Sequence, residues 1–310
     1  MPMVMAMRDV VATKGELPSL GEKPMSKGKK IFGIVFRVFL LALFTVIIAA
    51  SAQITYDYLR YQKFFVNGES MYPTLNRDTK HYDTNGSLIT SGPTYTIGDF
   101  STPGTYVCDY GISDSSASFR NSLARYSVVV TYFDDDMAYN AATGTYAPHI
   151  GSNGAIDRDL KIKRIIGLPG ETLYFDASGD LYVKKAGETD FAKIDQPFFD
   201  EEDDWTDEMK TWVGKAKPAS ANSKYGSEAS PCILTEEEYF VCGDNRLAST
   251  DSRAEGPIHS YSLQGKAVAV TAKCSYVIPT SGSGSASWKP LWNSFLMPWE
   301  LRYLSDDESA

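Results

Sequence analysis

The sequence predicts a mainly β protein, in which a single N-terminal transmembrane helix precedes an antiparallel β-rich domain with a smaller inserted β subdomain. Three observations predict it. A long apolar run follows a basic N-terminus, short runs rich in Val, Ile, Tyr and Phe recur over the rest of the chain, and Gly, Asp, Ser and Asn separate them. Of the 310 residues, 43% are apolar and 22% charged, which excludes a mainly disordered or coiled-coil chain. Thirty Lys and Arg against 39 Asp and Glu give a net charge of −9, a balance that argues against a nucleic-acid partner.

Residues 1–30 carry six basic and three acidic side chains, net +3, leaving −12 for the remainder. Such asymmetry marks the two sides of a membrane. A transmembrane helix is expected over 31–56. Within it, Val38–Tyr56 runs 19 residues without a charge, about 28 Å of helix against a hydrocarbon layer of about 30 Å. Arg37 lies near enough to the basic side to snorkel. The sequence AASAQ resembles a small-residue cleavage site, but the apolar run is longer than a secretory h-region and starts late, so retention as an anchor is expected. With the basic cluster first, the N-terminus is expected in the cytoplasm and residues 57–280 outside it.

In that outer region the expected strands are 125–133, 160–168, 171–185, 237–244 and 263–278, and Ala177-Ser-Gly-Asp180 marks a hairpin within the third. Residues 76–124, with weak alternation in TYTI and TYVCDYGI, and residues 186–231 read as insertions, the second as the smaller subdomain. Its acidic run Asp200–Asp204 reads as a solvated face. Residues 281–310 form a linker, SGSGSAS, and an aromatic tail. Trp288, Trp292, Phe295 and Trp299 in that tail suit a membrane interface or packing on the β-domain equally well. Four cysteines (Cys108, Cys232, Cys242, Cys274) lack CxxC spacing and allow three full disulfide pairings.

Three stretches carry more than β patterning: Asn67-Gly-Glu-Ser-Met-Tyr-Pro-Thr-Leu75, Lys161-Ile-Lys-Arg-Ile-Ile-Gly-Leu-Pro-Gly-Glu171 and Gly243-Asp-Asn-Arg-Leu-Ala-Ser-Thr-Asp-Ser-Arg253. A serine hydroxyl is a poor nucleophile until a base takes its proton. His81, His149 and His259 lie outside all three stretches, which leaves a Ser–His–Asp triad open because triads assemble in space and not in sequence, and a lysine serves as base once desolvation disfavours its ammonium. Strand alternation puts Lys161, Lys163 and Ile165 on one face and Leu160, Ile162 and Arg164 on the other.

In this order, after one membrane segment, the three stretches resemble the bacterial type I signal peptidases, which use a Ser–Lys pair. The resemblance runs from the anchor through about 64–278, leaving the two insertions loosely covered. It implies Ser70 as nucleophile and Lys163, the lysine directly before Arg164, as general base. It further implies oxyanion donors at the Ser70 N–H and at position 68, where Gly68 offers no hydroxyl. Ser249 would orient the lysine, Asp251 would pair with Arg253 or Arg164, and Met71 and Pro73 would meet substrate. The implied substrates are exported preproteins cleaved after small residues at −1 and −3, beside membrane lipid, with no metal or organic cofactor. The chain departs from the pattern at Tyr126-Ser127, where a Gly-Asp pair is usual, so the turn before that strand is expected to be lost. Leu247-Ala248 also replaces more polar residues. Cys242 is expected to be a packed thiol or half of a disulfide. Two other readings stay open: a Ser–Lys peptidase that cleaves itself or one partner, and a membrane-tethered β-domain that binds cell-surface components without catalysis.

Overall fold

The computed structural model describes residues 27–93, 97, 100–152, 154–156, 159–200, 205–280, 285–297 and 300–304. Most of the acidic run, part of the linker and Trp299 lie outside the described residues. The chain divides into two compact units, residues 1–55 and 56–310. Helix α1 (Lys27–Arg60) holds the apolar run, and its Ile31–Arg60 portion is long and apolar enough to cross a membrane.

The second unit is built from β1 (Tyr61–Phe65), β2 (Thr79–Tyr82), β3 (Leu88–Gly92), β4 (Gly104–Asp114), β5 (Val128–Thr131), β6 (Met137–Asn140), β7 (Thr145–Pro148) and β8 (Lys161–Gly167). There follow β9 (Thr172–Phe175), β10 (Leu181–Lys184), β11 (Ala192–Ile194), helix α2 (Asp207–Ala216), β12 (Cys232–Ile233) and β13 (Glu238–Cys242). Strands β14 (Ile258–His259), β15 (Leu263–Ile278), β16 (Ser287–Pro290) and β17 (Arg302–Tyr303) complete it. Eleven strands form one antiparallel sheet in the order β14-β13-β8-β5-β15-β4-β2-β3, with β1 on β4 and both β16 and β17 on β15. A four-stranded sheet, β11-β10-β9-β12, and the hairpin β6-β7 stand beside it.

All five expected strand regions contain strands, and β15 takes the expected bounds 263–278. The β9–β10 hairpin closes where expected, with Gly179 at φ +77° and the Asp176 carboxylate accepting the Ser178 and Asp180 N–H groups. Two regions differ from expectation. Residues 76–124 supply β4, which pairs with β15 from Lys266↔Asp114 to Ile278↔Gly104. Both faces of β4 are covered around Cys108–Gly111, so the period-two pattern that marks a half-buried strand is missing there. Residues 186–231 contribute a helix as well as a strand. Thr206 caps α2 by accepting the Met209 N–H at 3.2 Å, and Met209, Val213 and Ala216 bury its inner face against Phe199, Trp205 and Tyr72.

The four cysteines are free and buried. Cys108 and Cys274 face each other across β4 and β15 with Sγ atoms 3.3 Å apart. Cys242 is a packed thiol in the apolar cluster around Phe175 and Phe240, and burial pushes it up to about 12.

Candidate active site

Just past β1 the chain makes a compact turn. The Tyr72 N–H bonds to the Glu69 carbonyl, and the Leu75 N–H bonds to that of Met71. Met71 and Leu75 sink into a cluster with Val66, Val128, Ala267 and Val270, while Tyr72 packs beside α2. Pinned by these apolar side chains, the turn leaves Ser70 half-buried at its edge. Asn76 fastens the approach: its side-chain amide donates to the Val66 carbonyl at 2.8 Å and to the Gly68 carbonyl at 3.1 Å. Its own N–H donates to the Asp109 carboxylate at 2.8 Å, and the Asp109 N–H returns a bond to Asn76 Oδ1 at 2.7 Å.

Lys163 lies on β8, opposite Val129 of β5. From Arg164 onward β8 is also paired with β13, so the strand is interior, and Lys163 is only 3% exposed. Its Nζ donates to Ser70 Oγ at 2.9 Å. Loss of hydration brings its pKa down to about 8, an effect that the Asp251 carboxylate partly opposes and the neighbouring Lys161 ammonium reinforces. None of the three histidines is hydrogen-bonded to Ser70. His259 instead meets Asp134 on the far side of β13, with Nδ1 and Oδ2 2.5 Å apart.

The third stretch encloses this pair from behind. The Asn245 N–H donates to the Ser70 carbonyl at 3.0 Å, and its side-chain amide donates to that of Glu69 at 3.1 Å. A Cβ built on Gly243 would overlap both the Ser70 carbonyl oxygen and the Ser249 side chain, so only glycine admits this approach. Asp251 accepts both Nε (2.8 Å) and Nη2 (3.0 Å) of Arg253, together with the Gly243 N–H at 3.0 Å. Burial alone would raise the Asp251 pKa, yet the guanidinium and that N–H hold it below the ordinary carboxylate value.

Arg164 does not pair with Asp251. It forms a two-point pair with Asp244 at 2.8 Å on each oxygen, and Thr74 donates its hydroxyl to the same carboxylate at 2.5 Å. One carboxylate thus ties the serine turn, the lysine strand and the third stretch together. The Ser249 hydroxyl lies over Gly243 and forms no hydrogen bond to Lys163.

Met71 and Pro73 are buried in the core beneath the turn, where they serve to anchor it; neither reaches the open cleft. The turn at Tyr126 persists without the usual glycine. Tyr126 takes φ +71°, a left-handed conformation costly for a bulky residue. Its hydroxyl donates to the Asp195 carbonyl, its ring meets Phe198 edge-on at 5.4 Å, and its carbonyl accepts from Arg164 at 2.9 Å.

In front of the dyad opens a cleft of about 480 Å³. One wall is β1 with the segment to Ser70, the other the Asp159–Lys163 segment, with Val130 of β5, Tyr132 just past that strand and Trp288 on β16 completing it. Both walls present strand edges: β1 pairs only with β4 among the described residues, and β13 joins β8 no earlier than Arg164. Asp244, Asn245 and Asn76 are the functional residues that sequence reasoning passed over. The only available signal was their presence beside the recognised Gly243 and Ser70, since a hydrogen-bonding partner across the fold leaves no spacing pattern.

A serine hydroxyl within hydrogen-bond reach of a buried amine, at the head of an apolar cleft on an antiparallel sheet, is the arrangement that hydroxyl-nucleophile acyl transfer requires. A family model described as signal peptidase, peptidase S26 matches residues 36–272, and the chain belongs to that family. It is 32% identical over 115 residues to signal peptidase I V of Bacillus subtilis, covering 35% of this chain and 56% of that protein. Over 119 residues it is 29% identical to signal peptidase I of Streptococcus pneumoniae, covering 34% of this chain and 57% of that one. The chain thus spans somewhat over half the length of these relatives. A crystal structure of a signal peptidase I from Enterococcus faecalis is 21% identical and covers 46% of this chain and 95% of its own, with a TM-score of 0.29, too low to bear on the fold. Among the described residues, no group of three or more His, Cys, Asp or Glu is placed to hold a metal ion.

Proposed function

We propose that this chain is a membrane-anchored serine endopeptidase that removes signal peptides from exported preproteins through a Ser70–Lys163 dyad. The observation that carries the reading is the 2.9 Å bond between Ser70 Oγ and a lysine that is 3% exposed. In its neutral form Lys163 accepts the Ser70 proton as Oγ attacks the scissile carbonyl. The developing oxyanion meets the Ser70 backbone N–H, and with no hydroxyl at Gly68 a second donor must come from the backbone. The lysine ammonium then protonates the departing amine. In the second half, Lys163 takes a proton from water as its oxygen attacks the ester carbonyl, the acyl C–Oγ bond breaks to release the carboxylic acid product, and the lysine ammonium returns the proton to Ser70 Oγ.

An extended substrate would add a strand between the two open edges of the cleft, meeting pockets only with alternate side chains. Small residues at −1 and −3 fit that geometry. Residues 31–56 would span the cytoplasmic membrane, with 1–30 inside and 57–280 outside. Anchoring would hold enzyme and substrate on one surface and raise their effective concentration. Purified full-length chain in detergent should cleave a preprotein after its small-residue site, and Ser70→Ala or Lys163→Ala should each abolish cleavage. Near-normal turnover by Lys163→Ala would overturn the dyad. Cleavage confined to the chain itself would favour a self-processing peptidase, and failure of a serine-directed probe to label Ser70 would favour a binding domain.

A further inference from the structure

Strand β16 lies beyond the residues matched by the family model, 36–272, yet it reaches the cleft. It pairs with the end of β15, Tyr276 opposite Trp288. The Trp288 ring rests on Phe65 of β1, 5.0 Å between centroids, and on Tyr110 of β4 at 5.8 Å. Phe65 is in turn held by Tyr276 at 5.3 Å. The indole is therefore backed by two aromatic rings, Phe65 and Tyr110, with Tyr276 supporting Phe65, while 42% of the residue stays exposed and lines the cleft. Its neighbour Trp292, 83% exposed, does not line that cleft.

We infer that Trp288 is a specificity residue: it forms a subsite for a large apolar side chain on the upstream side of the scissile bond. The inference rests on the peptidase reading above. Phe65 precedes Ser70 by five residues, which at a strand rise of about 3.3 Å amounts to at most about 16 Å, or about five steps of an extended peptide, reaching no further than the sixth residue before the cut. The cleft between them is walled by Phe64, Val66, Val130, Leu160 and Ile162. Such a wall suits the segment before the cut, where a signal peptide passes from its apolar core to the small residues of its cleavage site. A rigid indole adds apolar contact at little entropic cost and carries no charge to repel that segment.

The test uses full-length chain in detergent and peptide pairs that differ only in the fourth to sixth residues before the cut, Phe/Leu against Ser. The parent should favour the apolar member by about tenfold in kcat/KM, a difference typical of an apolar pocket. Trp288→Ala should reduce that ratio toward one, through a higher KM for the apolar peptide at unchanged kcat. Trp288→Phe should largely restore it. Equal losses on both peptides, a preserved ratio in Trp288→Ala, or a preference for residues after the cut would overturn the inference. Should the parent cleave none of the peptides, the dyad reading falls, but binding of the same pairs to Ser70→Ala by fluorescence anisotropy still decides the subsite. Equal affinities there, or affinities that Trp288→Ala leaves unchanged, would refute it.

Discussion

The burial of Lys163 should be written into the pH dependence of the reaction. Only the neutral amine can accept the Ser70 proton, so the rate follows its population. With the pKa brought down from 10.5 to about 8, about a tenth of Lys163 is neutral at pH 7 and about a hundredth at pH 6. Left at its ordinary value of 10.5, it would be neutral in only about three molecules in ten thousand at pH 7. Desolvation therefore enriches the reactive form some hundreds of times, at a folding cost of about 3 kcal/mol that is present in full below pH 8 and vanishes as pH rises toward 10.5. Measured as kcat/KM on a fluorogenic small-residue peptide between pH 5.5 and 10, activity should rise tenfold per unit on the acid side and level off above about 8. Lys161 adds a control. Its ammonium helps depress Lys163, so Lys161→Gln should move the inflection to higher pH. A profile flat from pH 6 to 9, an inflection near that of a solvated lysine, or an acid-ward move in Lys161→Gln would refute the reasoning.

Two further outcomes follow from the framework around the dyad. Asp244→Ala leaves the Arg164 guanidinium buried without its carboxylate and should cost about 3–5 kcal/mol in urea unfolding of the full chain; a loss below 1 kcal/mol would mean that the pair does not hold the strands together. Gly243→Ala forces the third stretch away from the Ser70 carbonyl and should lower kcat about a hundredfold while the circular dichroism spectrum stays that of the parent. An unchanged kcat would show that the close approach at Gly243 does not position the nucleophile.

How much of this was legible in the sequence varies with the physics of each part. The apolar run and β15 carry their periodicity in the open, and the Ala177–Asp180 hairpin carries its turn residues there too. Ser70 and Lys163 were legible because three short stretches occurred together. Strand β4 was not, because Asp109, Ser113 and Asp114 are buried polar side chains satisfied from elsewhere in the fold, Asp109 by Asn76, Lys273 and Arg302. Helix α2 was hidden within a segment that reads as an insertion, and its apolar face shows only once Trp205, Phe199 and Tyr72 are seen to cover it. The turn at Tyr126 was misread because a missing glycine was equated with a missing conformation, whereas packing against Phe198 and two hydrogen bonds compensate the left-handed backbone.

The placement of the two buried ion pairs suits the proposed role of Lys163 as a base. A carboxylate free to face Lys163 would stabilise its ammonium and cancel the effect of burial. Asp251 is the carboxylate that most opposes the depression of Lys163, and Asp244 acts in the same direction more weakly. Each of the two is occupied by a guanidinium on both oxygens, Asp251 by Arg253 and Asp244 by Arg164. Arginine suits this role because its planar fork saturates a carboxylate and keeps its charge at any working pH. Both pairs direct a negative charge away from the amine, and the Arg164–Asp244 pair, with Thr74, also locks β8, the serine turn and the third stretch into one register. An apolar replacement could supply the packing but not the three-way tie through Asp244 and Thr74. The ionic design is thus retained here despite the desolvation that it costs.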